Sequence, residues 1–181
     1  VDSYETVTVS GVAALVTDQV FGSITADGAD SITVKTDGST ATLGLSTTTV
    51  GAVSADSAQT ITLSAASNGE LVTGAITSTS AAVDAISLTT ADDGVLDVTS
   101  IDVTGSDLST LTITNGIGGR IDLDGAGDTT PITADSITAA TITLGAASIT
   151  ALDLIYGGTT TIAQTTGSTL DLDTIGVAAT T

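Results

Sequence analysis

Hydrophobic and polar residues alternate strictly in short segments that recur along the whole chain. Each segment has small, mostly hydroxyl-bearing residues at its first and third positions and aliphatic residues at its second and fourth. Strict alternation of this kind indicates a β-strand with one buried face. Seven segments fit the pattern: Thr6–Val9, Ser31–Val34, Thr60–Leu63, Ala85–Leu88, Thr110–Ile113, Thr141–Leu144 and Thr169–Leu172.

The spacing of these segments indicates a repeat architecture. Their first residues are 25, 29, 25, 25, 31 and 28 positions apart, a mean of about 27, and periods of 20–50 residues are typical of solenoids. Since a one-residue slip would turn the aliphatic residues to solvent, we expect their inward pairs to stack in two columns. These pairs are Val7 and Val9, Ile32 and Val34, Ile61 and Leu63, Ile86 and Leu88, Leu111 and Ile113, Ile142 and Leu144, and Leu170 and Leu172.

Weaker strand-like runs lie between the seven segments. They form a second set, Ala41–Leu45, Leu96–Val98, Ile121–Leu123 and Leu152–Leu154, and a third, Thr47–Val50, Ile101–Val103 and Thr159–Ile162. Two or three strands per period, with Gly and Asp at the corners, predict the coils of a β-solenoid.

We therefore predict an all-β fold, a parallel β-helix (β-solenoid) of about seven coils that forms a single domain over residues 1–181. The variable coil length favours a right-handed parallel β-helix over left-handed hexapeptide helices and RTX nonapeptide rolls, whose periods are rigid. A β-sandwich is the alternative, because regularly spaced short strands suit it too. Sandwiches usually have large aromatic anchors in the core, whereas this chain has one Phe and two Tyr.

Charge narrows the range of partners. The chain has 21 acidic and two basic residues, a net charge of −19, so DNA, RNA and anionic membranes would be repelled. No stretch approaches 18 uninterrupted apolar residues, so no membrane insertion is expected. The chain also lacks Met, which suggests a processed mature chain or an excised fragment.

Residues that support catalysis are scarce. The chain has no His and no Cys, so imidazole bases and thiol nucleophiles are absent. Parallel β-helices do include polysaccharide-cleaving enzymes with paired carboxylates, but those usually bind sugars with aromatic and basic side chains. We expect that the protein is not an enzyme.

Two clusters could bind metal, and a third could be mistaken for a nucleotide loop. Asp122, Asp124 and Asp128, next to Gly125 and Gly127, supply the oxygen ligands that Ca²⁺ prefers, so we predict a calcium site there; a solvated acidic turn is the alternative. Asp92–Gly94 is a weaker candidate of the same kind. Asn115–Gly119 is rich in glycine but matches no nucleotide-binding fingerprint, and we interpret it as a corner.

The outward residues of the seven segments form a further pattern. Stacked in register, they would give two columns of hydroxyl groups, broken by Ala85 and Asp171. Thr-x-Thr ranks of this kind resemble those of ice-binding β-solenoids. Thr is also a common solvent-facing residue in strands.

The composition resembles that of the β-rich repeat regions of bacterial and archaeal S-layer proteins and large surface adhesins. The likeness covers nearly the whole chain and is clear in Leu43–Val50 and Ala134–Leu144. It implies a secreted or cell-surface structural protein, often calcium-dependent, that assembles into a sheet, a fibre or a stalk.

We therefore expect an extracellular structural protein, a subunit of a surface filament or S-layer-like assembly. Unpaired backbone groups at solenoid ends invite strand pairing, so we expect self-association by head-to-tail or strand-addition contacts, with residues 1–9 as a strand that could be donated to a neighbouring subunit. The alternative is a binding module, for ice or, as an adhesin, for cell-surface glycans.

Overall fold

The computed structural model of the chain describes part of its length. The backbone is described for residues 6–11, 18–38, 46–78, 83–117, 119–122, 132–144, 148–150, 153–155, 159–164, 169–170 and 174–176, and side chains for 6–11, 18–38, 46–78, 83–103, 109–117 and 119–121. Of the predicted strand segments, Ala41–Leu45 and the last two residues of the seventh motif, Asp171–Leu172, lie outside the described residues, as do Leu123 and Leu152.

All of the described elements are β-strands, as the content of Thr, Val and Ile favours. In chain order they are β1 (Val7–Gly11), β2 (Gln19–Phe21), β3 (Ile24–Thr25), β4 (Ser31–Thr36), β5 (Ser46–Val50), β6 (Val53–Ser54), β7 (Thr60–Ala65), β8 (Gly69–Thr73), β9 (Ile76–Thr77), β10 (Ala85–Thr90), β11 (Val95–Val98), β12 (Ile101–Asn115), β13 (Arg120–Asp122), β14 (Ile132–Leu144), β15 (Ser148–Thr150), β16 (Asp153–Ile155), β17 (Thr159–Gln164), β18 (Thr169–Leu170) and β19 (Thr174–Gly176).

The strands stack into three faces, and every described pairing is parallel. Face 1 runs β1-β4-β7-β10 and on to the C-terminal part of β12, face 2 runs β2-β5-β8-β11-β13-β15-β18, and face 3 runs β3-β6-β9 and on to the N-terminal part of β12. The predicted all-β parallel solenoid is confirmed, and the antiparallel sheets of a β-sandwich are not found among the described strands. About four turns are shown, fewer than the seven predicted.

Each coil repeats the same order of faces. Coil 1 comprises β1, β2 and β3, and coil 2 comprises β4, β5 and β6. Coil 3 comprises β7, β8 and β9. The long strand β12 links coils, because its start pairs with β9 on face 3 and its end pairs with β10 on face 1.

The aliphatic columns predicted for face 1 form one wall of the core. Register pairing places Ile32, Ile61, Ile86 and Leu111 in one column and Val34, Leu63, Leu88 and Ile113 in the other. All eight are at most 1% exposed. This confirms the predicted inward direction of the alternation in these four strands.

Faces 2 and 3 complete the core with smaller columns. Leu71, Leu96 and Ile121 are register neighbours on face 2, and Ile76 and Ile101 are register neighbours on face 3. All five side chains are fully buried. The core is therefore mainly aliphatic, with buried polar residues such as Thr48 and Thr73 in the inward columns of face 2, and no aromatic side chain is among the buried residues that the structure describes.

The corner between faces 1 and 2 repeats one tight turn. The amide of Gly69 donates to the carbonyl of Ala66 at 2.9 Å, and the amide of Gly94 donates to the carbonyl of Ala91 at 3.0 Å. The residue before each glycine has a positive φ, 55° for Asn68 and 58° for Asp93. Asn and Asp adopt this left-handed conformation more readily than other non-glycine residues.

The later repeats depart from the predicted arrangement. Thr169–Leu170 pairs with β15 on face 2, whereas the seventh motif was expected on face 1. On face 1, the strand that pairs with β14 on its far side from β12 is β17. This strand contains Thr159–Ile162, which was predicted to belong to the third set. Likewise Thr47–Val50, also assigned to the third set, lies in β5 on face 2.

The sixth motif is on the expected face, but in a different register. Thr110 lies opposite Ala139, and Thr112 lies opposite Thr141, whereas motif alignment would place Thr110 opposite Thr141. A shift of two residues preserves the phase of the alternation between the two strands, because a strand alternates with a period of two.

Within the described ranges, no helix has the length and apolar character needed to cross a bilayer.

Candidate functional site

The outward side of face 1 is a regular array of mostly small, hydroxyl-bearing residues. We call it the hydroxyl face and define it by the outward residues of β1, β4, β7, β10 and the end of β12. Thr8 and Thr110 are exposed and the rest are half-buried. The residues are Thr8, Ser10, Ser31, Thr33, Lys35, Thr60, Thr62, Ser64, Ala85, Ser87, Thr89, Thr110, Thr112 and Thr114.

The central column of the hydroxyl face has a hydroxyl group at every strand. Register pairing runs from Thr8 through Thr33, Thr62 and Ser87 to Thr112. Neighbouring strands are ~4.8 Å apart, and same-face residues along one strand are roughly 6.7 Å apart. The hydroxyl groups therefore form a two-dimensional lattice whose spacing is fixed by the backbone.

The backbone register extends this column beyond the residues with described side chains. Thr141 of β14 follows Thr112, and Thr161 of β17 follows Thr141. Asp171 was expected to interrupt the array, but its motif begins in β18 on face 2. Ala85 does interrupt a lateral column, as expected, and Lys35 interrupts the other.

Carboxylates are absent from the hydroxyl face among the residues with described side chains. Most described acids lie in the corners and loops, while Glu70 and Asp97 lie on face 2 and Asp102 lies on face 3. Lys35 forms an ion pair with Asp37 at the adjoining loop, with 3.7 Å between Nζ and Oδ1. In a chain of net charge −19, a surface that covers this face would therefore desolvate no described carboxylate.

The corner between faces 3 and 1 alternates charged and neutral residues. The amide of Gln59 donates to the carbonyl of Asp30, the amide of Asp84 donates to that of Gln59, and the amide of Ser109 donates to that of Asp84. The hydroxyl of Ser109 also donates to Asp84 Oδ1. A carboxylate thus occurs at every second coil of this corner column, with a neutral hydrogen-bonding residue between.

At the end of the stack formed by coil 1, side chains that face the core are partly exposed to solvent. Val7, Val9, Phe21 and Ile24 occupy inward register positions, opposite Ile32, Val34, Val50 and Val53 of coil 2 respectively. The coil 2 residues are at most 1% exposed, whereas Phe21 is 36% exposed and the other three residues of coil 1 are only partly buried. We call these four residues the end face.

Sequence reasoning missed the end face. The segment containing Phe21 has no repeat of the motif, and its inward direction follows only from its pairing with Val50. The signal available was that Phe21 is the sole Phe in the chain. Its neighbour Val20 points outward and is 76% exposed.

The predicted calcium site lies mostly outside the described residues. The structure describes the backbone of Asp122, at the end of β13, whereas Asp124 and Asp128 lie outside the described residues. Among the described residues, no group of three or more potential metal ligands occurs. The calcium site therefore stays a prediction.

Asp92–Gly94, the weaker candidate for a metal site, and the glycine-rich segment Asn115–Gly119 lie at the same corner of the solenoid. The Oδ1 atom of Asp92 accepts a hydrogen bond from the amide of Ile117 at 2.9 Å, and the amide of Asp93 donates to the carbonyl of Ile117 at 2.9 Å. The amide of Gly119 donates to the carbonyl of Gly116 at 3.1 Å. The described residues of Asn115–Gly119 thus form the corner turn that follows β12.

Comparisons with known proteins give no relative for this chain. No protein family, no curated protein and no solved structure matches it.

Proposed function

We propose that this chain is an extracellular structural protein, a subunit of a surface filament or S-layer-like assembly. The proposal includes a solenoid of about seven coils with a period of about 27 residues, forming one domain over residues 1–181. The parallel stacking of coils around one mainly aliphatic core is the observation that supports it. A stack of this kind is a stiff rod whose length grows with the number of coils.

The distribution of charge suits a surface assembly. Acidic side chains at the corners keep separate rods apart at low salt, because like charges repel over a Debye length. Divalent cations such as Ca²⁺ would bridge the corners of neighbouring rods. Assembly into bundles or sheets should therefore depend on calcium, whether or not Asp122, Asp124 and Asp128 form a defined site.

Electron microscopy of the purified 181-residue chain tests this proposal. We expect regular fibres or lattices in calcium, and their dispersal into separate rods after chelation. Analytical ultracentrifugation provides the quantitative measurement over the same conditions. A stable monomer over a wide range of protein and calcium concentrations would overturn the structural proposal.

A binding module is the second candidate, because the hydroxyl face is regular in register and free of carboxylates among its described side chains. Its partner would be ice or a carbohydrate-bearing surface, both uncharged arrays of hydroxyl groups or water. Each hydrogen bond from a hydroxyl group of this face would be weak, but many of them act together when the spacing of the partner surface matches that of the hydroxyl face. The resemblance of the Thr-x-Thr ranks to those of ice-binding solenoids supports ice.

Thermal hysteresis of the monomer tests the second candidate. We expect replacement of Thr33 and Thr62 by Asp to abolish the activity, because two strongly hydrated charges would stand in the centre of the hydroxyl face. The matched control replaces Val20 and Thr49 by Asp, which are register neighbours that point outward on face 2, and should keep the activity. No hysteresis in the wild-type monomer would exclude ice as the partner.

A further inference from the structure

We infer that the hydroxyl face binds the hydroxyl face of a second copy of this chain, with the two solenoids side by side and pointing in the same direction. The inference rests on the proposed structural function and specifies the lateral contact by which neighbouring rods would join. A two-fold axis parallel to the solenoid axis relates the two copies. Each strand of face 1 then lies opposite the same strand of the partner.

The distribution of charge favours this face for a contact between two copies. In a chain of net charge −19, a contact through face 2 would bring Glu70 and Asp97 toward the partner, and a contact through face 3 would bring Asp102. Among the described side chains, the hydroxyl face has no carboxylate and carries Lys35. Repulsion between the two copies is therefore weakest when their hydroxyl faces meet.

The side chains of the hydroxyl face can pair with an identical surface. A hydroxyl group is both a donor and an acceptor, so two copies of the same array can form hydrogen bonds with each other. Ser and Thr side chains are short, and most of those on this face are already half-buried, so ordering them in a contact costs little conformational entropy. The Thr methyl groups also add apolar surface that the contact removes from water.

The two-fold axis exchanges the two lateral columns of the hydroxyl face. On β4 these columns contain Ser31 on one side and Lys35 on the other, so Lys35 of one copy would lie across from the partner's Ser31. Asp30, which precedes Ser31 at the corner between faces 3 and 1, is exposed. Lys35 can therefore form an ion pair with the partner's Asp30, and the symmetry makes this pair occur twice in each contact.

Lys35 can reach the partner without giving up a strong interaction in its own chain. It forms an ion pair with Asp37, with 3.7 Å between Nζ and Oδ1, and the two side chains are 41% and 48% exposed. An ion pair that is exposed to this extent is weak. Exchanging it for a pair with the partner's Asp30 therefore costs little.

At β10 the same arrangement brings carboxylates together. Asp84 precedes β10 at the corner between faces 3 and 1, whereas Asp92 and Asp93 follow it at the corner between faces 1 and 2, and all three are exposed. Asp84 would therefore lie at the same edge of the contact as the partner's Asp92 and Asp93. Salt screens this repulsion and a divalent cation offsets it, so the contact should strengthen with salt and with calcium.

The size of the contact predicts a weak association that strengthens with the number of coils. The strands β1, β4, β7, β10 and the end of β12, ~4.8 Å apart and about five residues long, cover roughly 400 Å² on each copy. A standard stable interface covers about 800 Å² on each partner. Because the two-fold axis runs along the solenoid, each further coil adds a similar area, and many weak contacts act together.

Sedimentation equilibrium of charge variants, at physiological salt with calcium, tests the contact. Lys35→Glu replaces attraction by repulsion twice in each dimer, so we expect the dissociation constant of the dimer to rise at least about fivefold. Arg120→Glu is the control, because it gives the same net charge but changes an exposed residue of face 2, and it should stay within about twofold of wild type. Circular dichroism confirms that each variant is folded.

A charge swap tests which residues meet. Lys35→Glu combined with Asp30→Lys keeps the net charge of the wild type and places the opposite charges across the contact in reverse order. We expect this double variant to associate within about twofold of wild type. A double variant as weak as Lys35→Glu alone would overturn the same-direction arrangement of the two solenoids.

Cysteine cross-linking locates the contact independently of charge. The chain contains no Cys, so Thr62→Cys in the central column should give covalent dimers with a short thiol-reactive cross-linker, because Thr62 would face the partner's Thr62. Thr49→Cys is the control, since Thr49 points outward on face 2. We expect it to give covalent dimers only at the level of random collision.

The outcomes separate this inference from the proposed function. If the wild type assembles, yet Lys35→Glu associates as well as Arg120→Glu and Thr62→Cys cross-links no more than Thr49→Cys, the contact is wrong while the structural function stands. If the wild type stays monomeric under all conditions, both are overturned. A monomer with thermal hysteresis would then assign the hydroxyl face to ice.

Discussion

Thr73 lies directly beside Val50 in an inward column of face 2, and its buried hydroxyl has no hydrogen-bond partner among the residues that the structure describes. The residue on the other side of Thr73 in this column is Val98. Both valines are at most 1% exposed, as is Thr73 itself. We predict that Thr73→Val will raise the free energy of unfolding by about 1 kcal/mol, because a buried unpaired hydroxyl is costly and valine has the same shape.

Denaturant unfolding followed by circular dichroism measures this change. The control is Thr48→Val, also on face 2, whose buried hydroxyl donates to Thr36 Oγ1 at 3.0 Å. Thr48→Val should lower stability or leave it unchanged, because a hydrogen bond is lost. A Thr73→Val protein that is less stable than wild type would contradict the assignment of an unpaired hydroxyl.

Burying a carboxylate in the core should disrupt the coil around it. Ile61 is fully buried between Ile32 and Ile86, so we predict that Ile61→Asp will cost more than about 3 kcal/mol. Thr62→Asp changes the adjacent outward residue and should cost less than about 1 kcal/mol. Hydrogen exchange will show lost protection around β7 in the first variant, and equal effects of the two would contradict the inward and outward assignment. We expect Ile142→Asp to have the same effect in β14.

The left-handed conformation of Asp93 restricts which residues its corner accepts. We predict that Asp93→Val will destabilise the protein by about 1–2 kcal/mol, because a β-branched residue is strained at φ 58°. Asp93→Gly should be neutral or slightly stabilising, since glycine adopts this conformation without steric strain. Thermal unfolding of the two variants provides the comparison, and similar melting temperatures would argue against this turn.

Calcium binding should depend on the acidic loop after β13. We predict that calorimetry will detect calcium binding to the wild type and that replacing Asp122, Asp124 and Asp128 by Asn will remove its tightest component. The control replaces Asp27, Asp56 and Asp84 by Asn, which changes the net charge equally. If the triple loop variant responds to calcium as the wild type does, the site does not exist as proposed.

The sequence predicted the fold class and the core of face 1 because both depend on alternation. A buried aliphatic pair such as Ile61 and Leu63 has only one way to face inward, and the flanking hydroxyl residues must then face solvent. Aliphatic alternation does not distinguish one face of a solenoid from another. The motif beginning at Thr169 therefore looked like a face 1 strand, although it pairs on face 2.

The functional surfaces were predictable only in part, for a related reason. The hydroxyl columns follow from alternation, but the absence of described carboxylates from the hydroxyl face depends on which motifs share that face. The end face could not be inferred, because the half-exposed state of Phe21 arises from its position at one end of the stack. A residue's position in the stack depends on strand pairing, which local pattern does not encode.

The alternation of Asp30, Gln59, Asp84 and Ser109 sets a linear charge density along one edge of the rod. Two strand spacings of ~4.8 Å separate successive carboxylates by roughly 10 Å, which is about the Debye length at 0.1 M ionic strength. Each charge is thus largely screened from the next under physiological conditions, and repulsion between these carboxylates lowers the stability of the stack only slightly. In dilute buffer Asp30 and Asp84 would repel each other more strongly, so the solenoid should melt at a lower temperature as salt is withdrawn.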